Sequence, residues 1–214
     1  MKDWVGVVLA AGEGSRMKSQ LPKVLHPVCG KPLVQYSVEA LRKSGIDNIV
    51  LVVASNRSEG IRELLGDTVT YVEQPEPLGT GDALLQCLEM LENTSAHVAI
   101  IGSDSPLIHF STISSLIRTH NDSDLPITLL SSTGCLQEDA GRVKRDSHGN
   151  ILSVVEAADD GTGGNIREVN AGAYCFEGTW LWGNIRALKA SNKGEFYLTA
   201  LVELATSQSQ VVGS

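Results

Sequence analysis

Val5-Gly6-Val7-Val8-Leu9-Ala10, running on into Ala11-Gly12-Glu13-Gly14-Ser15-Arg16-Met17, is the stretch on which the reading of this 214-residue chain turns. Its first six residues carry no polar side chain, as suits a short strand buried on both faces of a sheet. The glycines after it would let backbone N–H groups crowd round an anion. A first strand that ends in a glycine loop predicts an α/β sheet built to hold a small charged ligand.

The alternation continues outward from that unit. Residues 33–43 predict a helix, with Leu33, Tyr36, Ser37, Ala40 and Leu41 on one face and Gly45 as its stop. Residues 49–54 read as a second buried strand, 57–65 as a short helix, 69–72 as a third strand and 80–92 as a helix. A fourth strand at 98–101 ends in Gly102-Ser103-Asp104-Ser105-Pro106. A helix at 113–119 and a strand at 127–132 come next. Between 134 and 177 short strands (142–145, 151–155, 169–176) are joined by Asp/Gly-rich turns, the densest at 159–165. Helices resume at 179–189 and 197–206.

Strands alternating with helices imply right-handed crossovers and a mostly parallel mixed sheet flanked by helices, a Rossmann-like α/β fold. Ligands then bind where loops leave the carboxyl ends of strands, which singles out the loops after Ala10, Val72, Ile101 and Phe176. One domain over 1–214 is expected, divided by the change of texture near residue 134 into halves at 1–133 and 134–214.

Composition narrows the function. With 42% hydrophobic and 20% charged residues, the chain can bury a sizeable core. Its longest apolar run, 4–11, is too short to span a bilayer, and Asp3 spoils a positive leader, so a cytoplasmic protein is expected. Cys29, Cys87, Cys135 and Cys175 lie 40 to 58 residues apart, with no CxxC or Cys/His cluster. That spacing suits idle thiols rather than a zinc site or a disulfide framework. A net charge of −8 argues against a nucleic-acid or membrane surface. Yet 13–31 holds Arg16, Lys18, Lys23 and Lys31 against Glu13 alone. A cationic island on an acidic protein suits a small anion.

Two familiar phosphate loops fail. The dinucleotide fingerprint wants a small residue where Met17 stands and an acid where Ala54 and Ser55 sit, and no Gly-Lys-Ser/Thr of the Walker type exists. What remains is Gly-x-Gly followed by Arg16 and then Pro22-Lys23, a planar fork and a point charge for phosphate oxygens.

Leu9-Ala-Ala-Gly-x-Gly-x-Arg-Met17 with Leu21-Pro-Lys-Val-Leu-His26 resembles the signature of the sugar-1-phosphate nucleotidyltransferases, in particular the bacterial N-acetylglucosamine-1-phosphate uridylyltransferases. Further matches run in order along nearly the whole chain: Gln74, Leu78-Gly-Thr-Gly81, Asp104-x-Pro106, Gly141-Arg142, Glu156, Asn170-x-Gly172 and Gly194-Glu-x-Tyr197-x-Thr199. No hexapeptide repeat appears, so the β-helix acetyltransferase half of the bifunctional members is not expected within these residues, and oligomeric state stays open.

The resemblance implies transfer of UMP from UTP to N-acetylglucosamine 1-phosphate, with pyrophosphate leaving. The attacking phosphate oxygen is already anionic, so positioning and charge neutralisation suffice without a general base. By resemblance Arg16 and Lys23 are catalytic, Arg16 on the leaving pyrophosphate and Lys23 between the reacting phosphates. Leu9, Ala10, Ala11, Gly12, Gly14, Gln74, Gly79 and Thr80 would bind the nucleotide. Gln74 can both donate and accept, which complements O4 and N3–H of uracil. Glycines 79 and 81 would bring backbone close to the base. Asp104 would hold Mg²⁺, the expected cofactor.

Gly141, Glu156, Asn170 and Thr199 would bind the sugar. Departures cluster there: Gly102-Ser103 replaces an aromatic-Gly pair, and Ala140, Ala157, Ala158, Ala171 and Ala200 stand where larger or polar residues are usual. The family's second metal ligand, an Asn beyond the Tyr-x-Thr motif, has no counterpart before Ser214, so the second half is expected to be incomplete at its C-terminal end. Two other readings remain open: a nucleotidyltransferase for another sugar phosphate or NTP, and a nucleotide-binding module without catalysis. Among the histidines, only His26 lies in a motif, where a structural role is expected.

Overall fold

The computed structural model describes residues 2–134, 140–157 and 166–214. Cys135, Ala158 and the Asp/Gly-rich turn at 159–165 lie outside them. In chain order the elements are β1 (Trp4–Leu9), β2 (Pro27–Val28), β3 (Lys31–Pro32), α1 (Leu33–Lys43), β4 (Ile49–Ala54), α2 (Glu59–Leu65), β5 (Thr70–Gln74), α3 (Thr80–Leu85), α4 (Leu88–Leu91), β6 (His97–Gly102) and α5 (Phe110–Asp122). Then come β7 (Ile127–Ser132), β8 (Arg142–Arg145), β9 (Ile151–Val155), β10 (Val169–Phe176), α6 (Gly178–Asn184), α7 (Ala200–Ser207) and β11 (Val212–Gly213).

The main sheet has the order β11-β7-β10-β6-β1-β4-β5, with β8 and β9 attached through β10. Strands β6, β1, β4 and β5 are parallel neighbours, whereas β10 runs antiparallel to both β6 and β7. The apolar run that opens the chain is buried because helices cover both faces. Val5 and Val7 pack with Leu84, Cys87, Leu181 and Leu201 on one side. Val8, one residue on, packs with Val34, Leu41, Ile61 and Ile113 on the other. Val7, Val8, Leu41 and Leu84 are fully buried, each contributing about 1.5–3 kcal/mol of transfer free energy.

The antiparallel course of β10 overturns one expectation. Phe176 pairs with Val98 at the start of β6, and Ala173 pairs with Ile101 near its end. The loop after Phe176 is therefore at the far edge of the sheet from the loops after β1 and β6. It is the beginning of β10, at Asn170, that reaches the edge where the loops after β1 and β6 emerge.

Three helices also differ from their sequence pattern, and the 179–189 segment is α-helical only over Gly178–Asn184 before it tightens into a 3₁₀ turn at Ile185–Ala187. The 80–92 segment breaks into α3 and α4, because Cys87 N–H bonds back three residues to Leu84 O and tightens the chain there. In the 197–206 segment the α-helix begins only at Ala200, since the preceding residues give backbone groups to the Gly79–Gly81 loop: Leu198 N–H donates to Thr80 Oγ1 and Phe196 O accepts from Gly81 N–H. The β2–β3 hairpin, turning through Cys29 (φ 49°) and Gly30 (φ 79°), is too short to leave a periodicity in sequence. Cys29 is exposed; Cys87 and Cys175 are buried free thiols, and burial pushes the Cys87 thiol up to about 12. Among the described residues no helix is long and apolar enough to cross a membrane.

Under Trp4 lies a buried polar chain. His97 Nδ1 sits 3.1 Å from His120 Nε2, and His120 Nδ1 sits 2.9 Å from Thr128 Oγ1. Two neutral rings satisfy this chain; two charged rings would set N–H against N–H between His97 Nδ1 and His120 Nε2. Burial first, then the charge of neighbouring groups, holds His97 below its ordinary range and His120 down at about 4. The unfolded chain binds a proton near pH 6.5 that the folded chain refuses, so stability is complete above that pH and falls as pH drops toward 4. The expected loss is about 2–3 kcal/mol across that window. Urea unfolding midpoints from pH 7.5 to 4 should show it, and His120→Gln should flatten the slope; a wild-type midpoint indifferent to pH would contradict the assignment.

Candidate active site

The first loop takes its shape from the lysine nine residues beyond its second glycine. Gly14 has φ 63°, and a Cβ there would lie 2.5 Å from Lys23 Cβ, so glycine meets both the left-handed backbone and the seat of the lysine stem. Lys23 opens a short 3₁₀ turn, Lys23–Leu25, after Pro22. Parallel pairing sets Leu9 beside Gly102, so the loops leaving β1 and β6 emerge side by side. Lys23 Nζ thereby meets Asp104 Oδ2 at 2.5 Å, across 81 residues of sequence. Both side chains keep access to solvent, 33% and 44% exposed. The lysine and the aspartate assigned to separate partners in the sequence thus neutralise each other here.

Asp104 offers a hard carboxylate oxygen at a strand end, flanked in the cleft by Ser103 and Ser105. No cluster of three or more His, Cys, Asp or Glu side chains suited to a metal exists among the described residues. The donor set fits a cation that takes few protein ligands and keeps its remaining positions for water and phosphate, as Mg²⁺ does. It does not fit an all-protein cage.

Gln74 ends β5, buried at 4% exposure. Its Nε2 donates to Gly79 O at 3.1 Å and to Asp82 Oδ2 at 2.7 Å. Both amide hydrogens are committed, so the expected donation to uracil O4 is not open to it in this arrangement; only Oε1 is left to a ligand. The glycine loop also differs in what it approaches. Gly79 has φ 106°, and a Cβ there would lie 2.5 Å from Phe196 O, so the close contact is with the 196–198 segment. Thr80 Oγ1 is engaged by Leu198 N–H.

On the opposite wall Thr199 Oγ1 donates to Glu156 Oε1 at 2.6 Å. A Cβ on Gly141 would lie 3.4 Å from Glu156 Oε2, which places Gly141 against that carboxylate. Asn170 Nδ2 bonds the Tyr174 hydroxyl at 2.5 Å, and Asn170 Oδ1 accepts Gly172 N–H at 3.1 Å. Tyr174 is buried, which raises its pKa and keeps the phenol neutral. His26 Nε2 lies 3.2 Å from Leu21 O, within the loop itself.

One cleft of about 690 Å³ gathers these groups: Leu9 at the end of β1 with Ala11, Gly12, Gly14, Arg16 and Lys23 from the loop after it, Gln74 at the end of β5, Gly79 and Thr80 at the entry to α3, Asp104 from the loop after β6, and Glu156, Asn170 and Thr199 from the second half. Ala10 lines a smaller hollow beside it with Gln74, while Gly141 is behind Glu156. Asp82 and Tyr174 escaped the sequence reading. Tyr174 sits mid-strand where an aromatic reads as core, and Asp82 reads as an exposed first-turn acid; its place directly after Gly81 was the signal that could have found it.

The chain matches the nucleotidyl transferase family over residues 5–214. It belongs to that family. Among the family's proteins it is 40% identical over 204 residues to the bifunctional protein GlmU of Pelotomaculum thermopropionicum, covering 94% of this chain and 44% of that one. It is equally 40% identical over 211 residues to GlmU of Clostridium novyi, covering 97% and 46%. The chain thus spans about half the length of the curated relatives it matches. A solved structure of a putative glucose-1-phosphate thymidylyltransferase from Bacillus anthracis shares the fold, with a TM-score of 0.80 over 98% of this chain and 85% of that one at 20% identity.

Proposed function

We propose that this nucleotidyltransferase moves UMP from UTP to N-acetylglucosamine 1-phosphate in the cytoplasm, giving UDP-N-acetylglucosamine and pyrophosphate. The observation that carries the reading is the single cleft, which joins a cationic glycine loop and a strand-end aspartate to a wall of sugar-type hydrogen-bonding groups. Residues 1–133 hold the nucleotide in this reading and residues 134–214 the sugar. Arg16 binds the departing pyrophosphate as a planar fork. Lys23 leaves Asp104 to sit between the reacting phosphates, and Asp104 is then open to Mg²⁺. The metal supplies charge neutralisation on the triphosphate. Glu156, oriented by Thr199, accepts from sugar hydroxyls, and Asn170, held by Tyr174 and Gly172, presents its remaining N–H. No side chain has to remove a proton, because the attacking phosphate oxygen is ionised near neutral pH.

Small residues at Gly102 and Ser103 in the cleft wall favour one second reading, another sugar phosphate as acceptor. Pyrophosphate release from the full-length protein with UTP, CTP, GTP and dTTP against several sugar 1-phosphates separates the readings. UTP with N-acetylglucosamine 1-phosphate is expected to give the highest kcat/KM. A different winning pair replaces the substrate, and UTP binding without turnover for any pair makes the chain a binding module.

A further inference from the structure

We propose that Asp82 is a positioning residue for base selection: it locks the Gln74 side-chain amide so that a pyrimidine meets an acceptor only. The proposal rests on the reading of Gln74 as the base-facing group. Asp82 stands in the first turn of α3, and as a carboxylate it can only accept. Gln74 must therefore turn its NH₂ toward Asp82 Oδ2 at 2.7 Å, and the same nitrogen reaches Gly79 O at 3.1 Å. Two acceptors on one side leave no alternative orientation for the amide, since turning it over would set Oε1 against both. The lock is itself braced, because Asp82 Oδ1 accepts from Gln86 Nε2 at 3.2 Å.

The chemical consequence concerns ring nitrogen N3. Uracil and thymine carry N–H there, which Oε1 of Gln74 can accept. Cytosine has a lone pair and no hydrogen at N3, so it can offer Oε1 only its exocyclic N4–H₂, which requires the ring to shift from the position that uracil takes. The pair Gln74–Asp82 thus selects imide bases against cytosine, and it does not separate uracil from thymine. A free glutamine would turn its amide over and serve either base equally.

Titration calorimetry of UTP and CTP with the full-length protein, and with Asp82→Ala and Asp82→Asn, tests this. In Asp82→Ala one acceptor is gone, Gln74 can turn over, and the UTP-over-CTP preference should fall about tenfold, the worth of one hydrogen bond to a buried partner. In Asp82→Asn an amide oxygen still accepts from Gln74, so the preference should stay within about threefold of wild type. A merely structural role for Asp82 would weaken both nucleotides alike and leave the ratio untouched. An unchanged ratio in Asp82→Ala, or an Asp82→Asn variant as unselective as Asp82→Ala, overturns the role of Asp82 alone. Wild-type protein with no preference for UTP overturns both this role and the base reading beneath it.

Discussion

Lys23→Ala is expected to lower kcat/KM by about two to three orders of magnitude, the usual cost of removing one preorganised group from a charge-stabilised transition state. Lys23 is the compact cation nearest the strand-end carboxylate, and its stem is seated against Gly14 so that the ammonium points across the cleft to Asp104. The fold should not notice the change. An ion pair whose partners are a third and nearly a half exposed contributes at most about 1 kcal/mol. Steady-state pyrophosphate release should therefore collapse while the thermal midpoint barely moves. Lys23→Arg should not restore the rate, because a planar guanidinium spreads its charge over a fork where the reading calls for a compact point charge. Activity within threefold of wild type in Lys23→Ala would remove this residue from the catalytic set.

Gly79→Ala is expected to destabilise the protein by about 3 kcal/mol or more, through backbone strain and a steric clash together. At φ 106° and ψ 176° the residue occupies a region open in practice to glycine alone, and the added Cβ would stand 2.5 Å from Phe196 O. That carbonyl cannot retreat without loss. The two segments are laced together by Phe196 N–H to Leu78 O at 2.7 Å, Gly81 N–H to Phe196 O at 2.7 Å and Leu198 N–H to Thr80 Oγ1 at 3.0 Å. Since Gly79 O also holds the Gln74 amide and Thr199 comes directly after Leu198, the substitution should raise the KM for both substrates. Urea unfolding compared with Gly134→Ala, where a Cβ meets no atom of the described residues within 4 Å, isolates the effect. A Gly79→Ala midpoint equal to that of the control would show that the loop adjusts freely.

Much of the architecture was legible in residue order because each element satisfies its own local requirement. The uncharged run at Val5–Val8 tells of a strand covered on both faces, and 33–43, 49–54, 127–132, 142–145, 151–155 and 169–176 form the elements their patterns predict. The glycine loop, its two cations and the strand-end aspartate were likewise visible, since each owes its place to chain position. What local pattern could not carry was direction. Whether β10 runs with or against β6 depends on how the chain returns after residue 134, and that choice decides that Asn170 rather than the loop after Phe176 reaches the cleft.

Residue order by itself therefore determined most of the longer strands and helices, the glycine loop and membership of the family, all set by near-neighbour chemistry and short motifs. Only the tertiary structure decided which polar groups spend their hydrogen bonds on each other. Lys23 met Asp104, Gln74 surrendered both donors to Gly79 and Asp82, and Thr199 fastened Glu156. Such pairings join residues up to 81 positions apart, and a buried donor takes whichever acceptor folding brings within about 3 Å.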